Sequence, residues 1–146
     1  WTVSRRSDWG DGVPDSQALR ADVWLGDSMG EMPAYYASAQ VALLGGSFQP
    51  LGGQNLIEAA ACACPIVMGP STFNFAEAAE LSLSAGASFR VQDWVAGVMQ
   101  SVGLVRDPAA LARARASAQA FSQAHRGAAQ RMAEAIAATV RGRAQA

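Results

Sequence analysis

Lysine is absent from the 146 residues, so all 11 basic side chains are arginines. That excludes a P-loop, whose chemistry needs a lysine on the phosphates just after its glycine loop. Histidine occurs once, as His125, and cysteine twice, as Cys62 and Cys64. With no second His or Cys at ligand spacing from His125, a metal centre of that type is not expected. A bridge between Cys62 and Cys64 across a single alanine would be badly strained. Both read as small apolar residues buried where a helix meets a strand, a setting that fits a reducing compartment. Charge is scarce too. Only 16% of residues are charged and the formal net charge is -1, which leaves no broad basic field for nucleic acid. No uninterrupted apolar run approaches the ~18 residues of a membrane-spanning helix.

What the chain has in quantity is apolar surface, with 51% hydrophobic residues. At this length it reads as one domain over residues 1–146, burying about two-thirds of its surface. Short apolar runs alternate with helical patterns. Trp1 to Ser4 reads as a strand that ends in Arg5-Arg6-Ser7. Val23 to Leu25 reads as a short buried strand ending at Gly26-Asp27. A helix follows over Met32–Ser38, then a strand over Val41–Leu44. A helix from Asn55 to about Ala63 and a strand over Pro65–Met68 come next. A helix over Phe75–Ala85 closes on Gly86, a favourable residue just past a helix end. Ala87 to Val91 is the last strand. Helices then begin at Asp93, running to about Val102, and near Pro108, and a final one carries Met132, Ile136 and Val140 on one face. This alternation predicts an α/β fold, a Rossmann-like parallel sheet flanked by helices. Trp1 already stands inside a strand pattern, so the sheet's first strands are expected upstream, in a longer protein.

In such sheets ligands bind beyond the carboxyl ends of the strands. Three of those ends are glycine-marked: Gly26-Asp27, Gly45-Gly46-Ser47 and Gly69-Pro70. The longest of the three loops carries a second glycine pair, Gly52-Gly53, before Asn55-Leu56-Ile57-Glu58 opens a helix. Glycine lets backbone approach a ligand closely, and the free N–H groups of a helix start attract anions. Asn55 and Glu58 also have the spacing of a capping box, worth about 1 kcal/mol and needing no ligand. Glu31 could equally be a favourable anion in a first helical turn. Two copies of strand end, glycine and glutamate favour a phosphate-bearing ligand, a nucleotide sugar. Thr72, Phe73 and Asn74 stand where they could cover it or form a local turn.

Together, Gly26-Asp27-Ser28-Met29-Gly30-Glu31-Met32, Gly45-Gly46-Ser47, Gly52-Gly53-Gln54-Asn55-Leu56-Ile57-Glu58 and Met68-Gly69-Pro70-Ser71-Thr72-Phe73-Asn74-Phe75 resemble one family over nearly the whole chain. That family is the lipid IV(A) 3-deoxy-D-manno-octulosonic acid (Kdo) transferases of lipopolysaccharide synthesis. The resemblance implies the C-terminal, donor-binding half of a two-domain GT-B glycosyltransferase. It implies that Met29, Gly30, Glu31, Asn55, Leu56, Ile57 and Glu58 contact the CMP of CMP-Kdo. Arg5, Ser47, Gly53 and Gln54 are candidates for further donor contacts. Gln54 stands where the family usually has His; its amide keeps hydrogen-bonding ability but cannot titrate.

The resemblance implies inverting transfer of Kdo to the lipid A precursor, with no metal and no cofactor beyond the donor. The acidic catalytic base belongs to the missing N-terminal domain, so this chain should carry no catalytic residue and be inactive alone. The full enzyme is expected on the cytoplasmic face of the bacterial inner membrane, touching it through that other domain. The fragment is expected to be soluble. Two alternatives fit the residues: the donor domain of a UDP-sugar GT-B transferase, and a non-catalytic α/β nucleotide-binding module.

Overall fold

The computed structural model describes residues 1–125, together with Ile136 and Arg141. In chain order the elements are β1 (Val3–Arg5), β2 (Val23–Leu25), α1 (Met32–Ser38), β3 (Ala42–Leu44), α2 (Leu56–Ala61), β4 (Ile66–Met68), α3 (Ala76–Ser84), β5 (Ser88–Arg90), α4 (Trp94–Arg106) and α5 (Pro108–His125). Among the described residues all strand pairing is parallel, as the alternation predicts, but it falls into two sheets. One is β1–β2, with Val3 opposite Val23; the other runs β3–β4–β5.

Successive strand residues point to opposite faces, and the three-stranded sheet is apolar on both. Ala42, Leu44, Ile66 and Met68 face Leu56, Ala59, Ala60, Ala79, Ala118 and Phe121 from α2, α3 and α5. On the other face Leu43, Val67 and Phe89 meet Leu104 of α4 with Ala110 and Ala114 of α5. Ile66, Val67 and Met68 are wholly buried, each worth roughly 1.5–3 kcal/mol by removal from water. Cys64 lies in this core and Cys62 is half-buried; both are free thiols. Burial pushes the Cys64 thiol up to about 11, which makes it an inert packing group.

The helix ends show where local chemistry overrode the apolar pattern. α3 stops at a left-handed Gly86, φ +70°, with Ala87 N–H bonded to Ser82 O and Gly86 N–H to Leu83 O. That is the expected glycine stop. α2 ends earlier than the pattern predicts, through the same bonding at Cys64 to Ala59 and Ala63 to Ala60. Here the left-handed residue is Ala63, φ +53°, and Pro65 forbids further helix. α4 runs four residues past its predicted end, to Arg106, because Asp107 is the first residue whose side chain can cap α5 instead.

β2 forms where predicted but is not buried. Val23, Trp24 and Leu25 are 40%, 48% and 42% exposed, and only Trp24 finds a ring partner, edge-on to Trp9 at 4.8 Å. A two-stranded sheet has too little covering structure to bury an apolar strand. Most of the final helix expected around Met132 and Val140, and Arg131 with it, lies outside the described residues. Ile136 and Arg141 are helical and exposed.

Candidate functional site

The strand ends come together through three packing contacts. Gly26 lies against the Tyr35 ring, where an added Cβ would sit 2.7 Å from Cζ. Tyr35 shares a cavity of about 270 Å³ with Met32 and Tyr36 of α1, Leu44 and Gly45 at the end of β3, and Gln54. Gly69, at the end of β4, packs on Ser47 and Phe48 so tightly that a Cβ would meet Ser47 O at 2.6 Å. The three glycine-marked ends therefore form one connected rim. A larger cavity of about 470 Å³ lies between β1 and the segment 8–21, lined by Asp8, Trp9, Asp15 and Arg20. It touches neither the glycine loop nor α2, and the rim is the better site because the chemistry-bearing residues converge there.

The parallel register of β1 and β2 sets residues twenty apart side by side. Thr2 N–H donates to Asp22 at 2.7 Å and Ser7 N–H to Asp27 at 2.9 Å. Ser7 also donates its hydroxyl to Asp27 at 2.8 Å, and these bonds hold the Asp27 carboxyl below its ordinary range. Arg5 lies 3.9 Å from Asp27 and is largely exposed. Beyond it, Arg6 donates to Glu31 Oε1 at 2.6 Å, while Ser28 and Tyr35 donate to Oε2. The Ser28 hydroxyl and then Arg6 hold the Glu31 carboxyl below its ordinary range, so it is ionised. Arg6 also covers the Trp9 ring at 5.5 Å.

At α2 the Asn55 side chain serves both sides of the helix start. Its Oδ1 accepts from Ile57 N–H at 3.2 Å and its Nδ2 donates to Glu58 Oε1 at 2.9 Å. This differs from the reciprocal box the spacing predicts, in which Glu58 would reach back to the Asn55 N–H. Glu58 instead lies exposed at the rim, with Oε2 unpartnered among the described residues. Burial, and then the Glu58 charge, raises the Tyr36 hydroxyl above its ordinary value. The glycine loop between these points is closed on itself, with Gly46 N–H donating to Gln54 Oε1 at 3.2 Å. Phe48 stacks on Trp94 at 4.4 Å, and the Trp94 ring edge lies over Gly45.

This fold is similar to a solved one. The crystal structure of the C-terminal CMP-Kdo binding domain of WaaA from Acinetobacter baumannii matches 84% of this chain and 61% of its own length, with a TM-score of 0.73 and 32% identity. The 3-deoxy-D-manno-octulosonic acid transferase of Bordetella pertussis is 47% identical over 115 residues, 79% of this chain. The enzyme of that name from Aquifex aeolicus is 33% identical over 75 residues, 51% of this chain. The chain is homologous to the 3-deoxy-D-manno-octulosonic acid transferases. It spans 27% of the Bordetella relative and 21% of the Aquifex one. No protein-family model matches it.

Against this Kdo transferase relationship the expected residues fall into distinct settings. Met29 is 95% exposed, and Gly30 follows it with φ +80° and open space around it. Glu31 is engaged by Arg6, Ser28 and Tyr35 on both oxygens, so its first job is to fix the start of α1. Leu56 is 1% exposed and packed in the core, leaving only its backbone for a ligand. Ile57 is 39% exposed, with its N–H held by Asn55. Ser47 is wholly buried; its hydroxyl donates to Leu44 O at 2.5 Å and accepts from Gly69 N–H at 2.7 Å, an internal role. Gly53 has φ +85° and packs on Ser71 and Thr72, and Gln54 is exposed beside Gly45. The sequence reading missed the cluster of Arg6, Ser28, Glu31 and Tyr35. Ser28, Glu31 and Tyr35 stand at local spacings of three and four; what no local pattern encodes is Arg6, brought beside them by the pairing of two strands twenty residues apart.

Proposed function

We propose that this chain is the CMP-Kdo-binding part of a longer Kdo transferase, which transfers Kdo with inversion to the lipid A precursor. One observation carries the reading: a domain described as CMP-Kdo binding shares this fold at 32% identity and a TM-score of 0.73. The exposed Glu58 carboxylate, held by Asn55 but with Oε2 unpartnered, suits the acceptance of ribose hydroxyls. The Met29–Gly30 backbone, uncovered at the other end of the rim, suits contact with the base. Among the described residues Arg5 has only a long ion pair to Asp27, and it suits an anionic group of the donor.

As the acceptor hydroxyl attacks the sugar's anomeric carbon, the bond to the CMP phosphate breaks and the phosphate keeps the electron pair. Preorganised donors on this domain would stabilise that charge. The base that takes the acceptor's proton would come from the rest of the longer protein, as would the surface that meets the lipid at the cytoplasmic face of the inner membrane. The reading assigns charge stabilisation to N–H and guanidinium donors, with no metal. A UDP-sugar donor and a non-catalytic module are the competing readings, and no observation favours either. Competition between CMP and UDP for the chain tests the donor assignment: CMP should displace UDP, and equal or better UDP binding would overturn it.

A further inference from the structure

The segment that follows β4 is built against the second glycine pair. Ser71, Thr72, Phe73 and Asn74 pack against the second glycine pair, and Ser71 and Asn74 are hydrogen-bonded to Gly52. Gly52 N–H donates to Ser71 Oγ at 3.1 Å, and Asn74 N–H donates to Gly52 O at 3.1 Å. Asn74 Nδ2 donates to Leu51 O at 3.1 Å, so one side chain grips the residue before the pair. Further back, Ser71 N–H donates to Ser47 O at 2.9 Å and Gly69 N–H to the Ser47 hydroxyl. The 45–54 loop is therefore tied to the 69–75 segment at two places, Ser47 and the Leu51–Gly52 pair.

The packing is as close as the bonding. Gly52 is buried with φ +82°, and a Cβ there would sit 2.3 Å from Asn74 Nδ2 and 2.6 Å from the Phe73 ring. Gly53 has φ +85°, and its Cβ would approach Ser71 O to 3.3 Å. Two consecutive residues with positive φ make a backbone path that conformational preference alone would not hold in one state. The segment is anchored from behind as well. Arg90, at the end of β5, donates to Thr72 Oγ1 at 3.2 Å and to Glu80 of α3 at 2.7 Å.

We infer that Ser71 and Asn74 are positioning residues for the nucleotide site, fixing the positive-φ Gly52-Gly53 backbone so that Gln54, Asn55 and Glu58 are delivered to the rim in one geometry. The inference rests on the proposed nucleotide-sugar reading. Neither side chain need touch the ligand; both act through the glycine pair, and preorganisation of this kind appears as affinity.

The test uses the 146-residue chain, CMP as probe, four single variants and one double variant. Ser71→Ala leaves the buried Gly52 N–H without its acceptor, and Asn74→Ala frees Leu51 O. Each should weaken CMP binding about fivefold or more, the loss of one net hydrogen bond. The double variant should lose less than the product of the two, because both hold the same glycine pair. Ser71→Thr, which keeps the hydroxyl, should retain most of the affinity. Ser82→Ala, which breaks a buried hydroxyl pair with Ser88 at 2.6 Å, is the control: it should lower the melting temperature and leave CMP affinity alone. The Gly52 and Gly53 amide resonances should move on CMP addition in the unmodified chain and move less in the Ser71→Ala and Asn74→Ala variants. Undiminished CMP affinity in both alanine variants would overturn this inference alone. Failure of the unmodified chain to bind CMP would overturn the site reading and the positioning role with it.

Discussion

The two glutamates at the rim share a residue type and differ in what surrounds them. Glu58 is exposed and holds one partner, the Asn55 amide, so its carboxylate contributes little to folding. Glu58→Gln should therefore change stability by well under the ~1 kcal/mol of a lost helix cap. CMP affinity should fall about tenfold, because a charge-assisted bond to ribose is worth roughly 1.5–3 kcal/mol. Calorimetry and a melting curve on one variant separate the two; a lower melting temperature with intact CMP binding would make Glu58 a cap only. Glu31 should behave oppositely. Its pKa is lowered in the folded chain, first by Ser28 and then by Arg6. A carboxyl with a depressed folded pKa contributes stability above its unfolded value, here near the ordinary 4.5, and loses it as pH falls through the folded one. Asp27, lowered by Ser7, adds in the same direction. Unfolding followed from pH 7 to pH 3 should show stability falling below about 4.5, with a shallower fall in Glu31→Gln; equal slopes would show that Glu31 is not linked to folding.

At the scale of elements, helix and strand placement was legible because it rests on local chemistry. The predicted range of α1 matches the observed Met32–Ser38, Asp93 caps α4 through Ala96 N–H, and Gly86 closes α3. What was not legible depends on neighbours far along the chain. Nothing near Val23 says that its strand stays half-exposed, and nothing near Asn55 says that its amide turns toward Glu58. Glycine shows the same divide. Gly52→Ala must hold φ +82° and push a Cβ into Asn74, so it should destabilise by about 1 kcal/mol or more. Gly103→Ala, in the last turns of α4 with open space around it, should stabilise by about 0.5–1 kcal/mol from helix preference. Denaturant titration of both variants reads the signs directly; the same sign for both would show that backbone φ and the space for a Cβ do not decide the outcome.

For the whole molecule, the fold class was legible and the partition of its strands was not. Alternating apolar strands and helices predict parallel pairing, but not that β1–β2 and β3–β4–β5 form separate sheets bridged by α1. Tyr35 is the residue that makes one rim of them, packed on Gly26 on one side and lining the Gly45 cavity on the other. The central claim is that this rim binds a cytidine nucleotide. Titrating the 146-residue chain with CMP while following its backbone amide resonances tests it most directly. The account predicts saturable shifts concentrated at residues 29–31, 45–47 and 52–58, and weaker shifts with UDP. No saturable shift, or shifts gathered around Asp8, Trp9 and Asp15 with the rim silent, would contradict it.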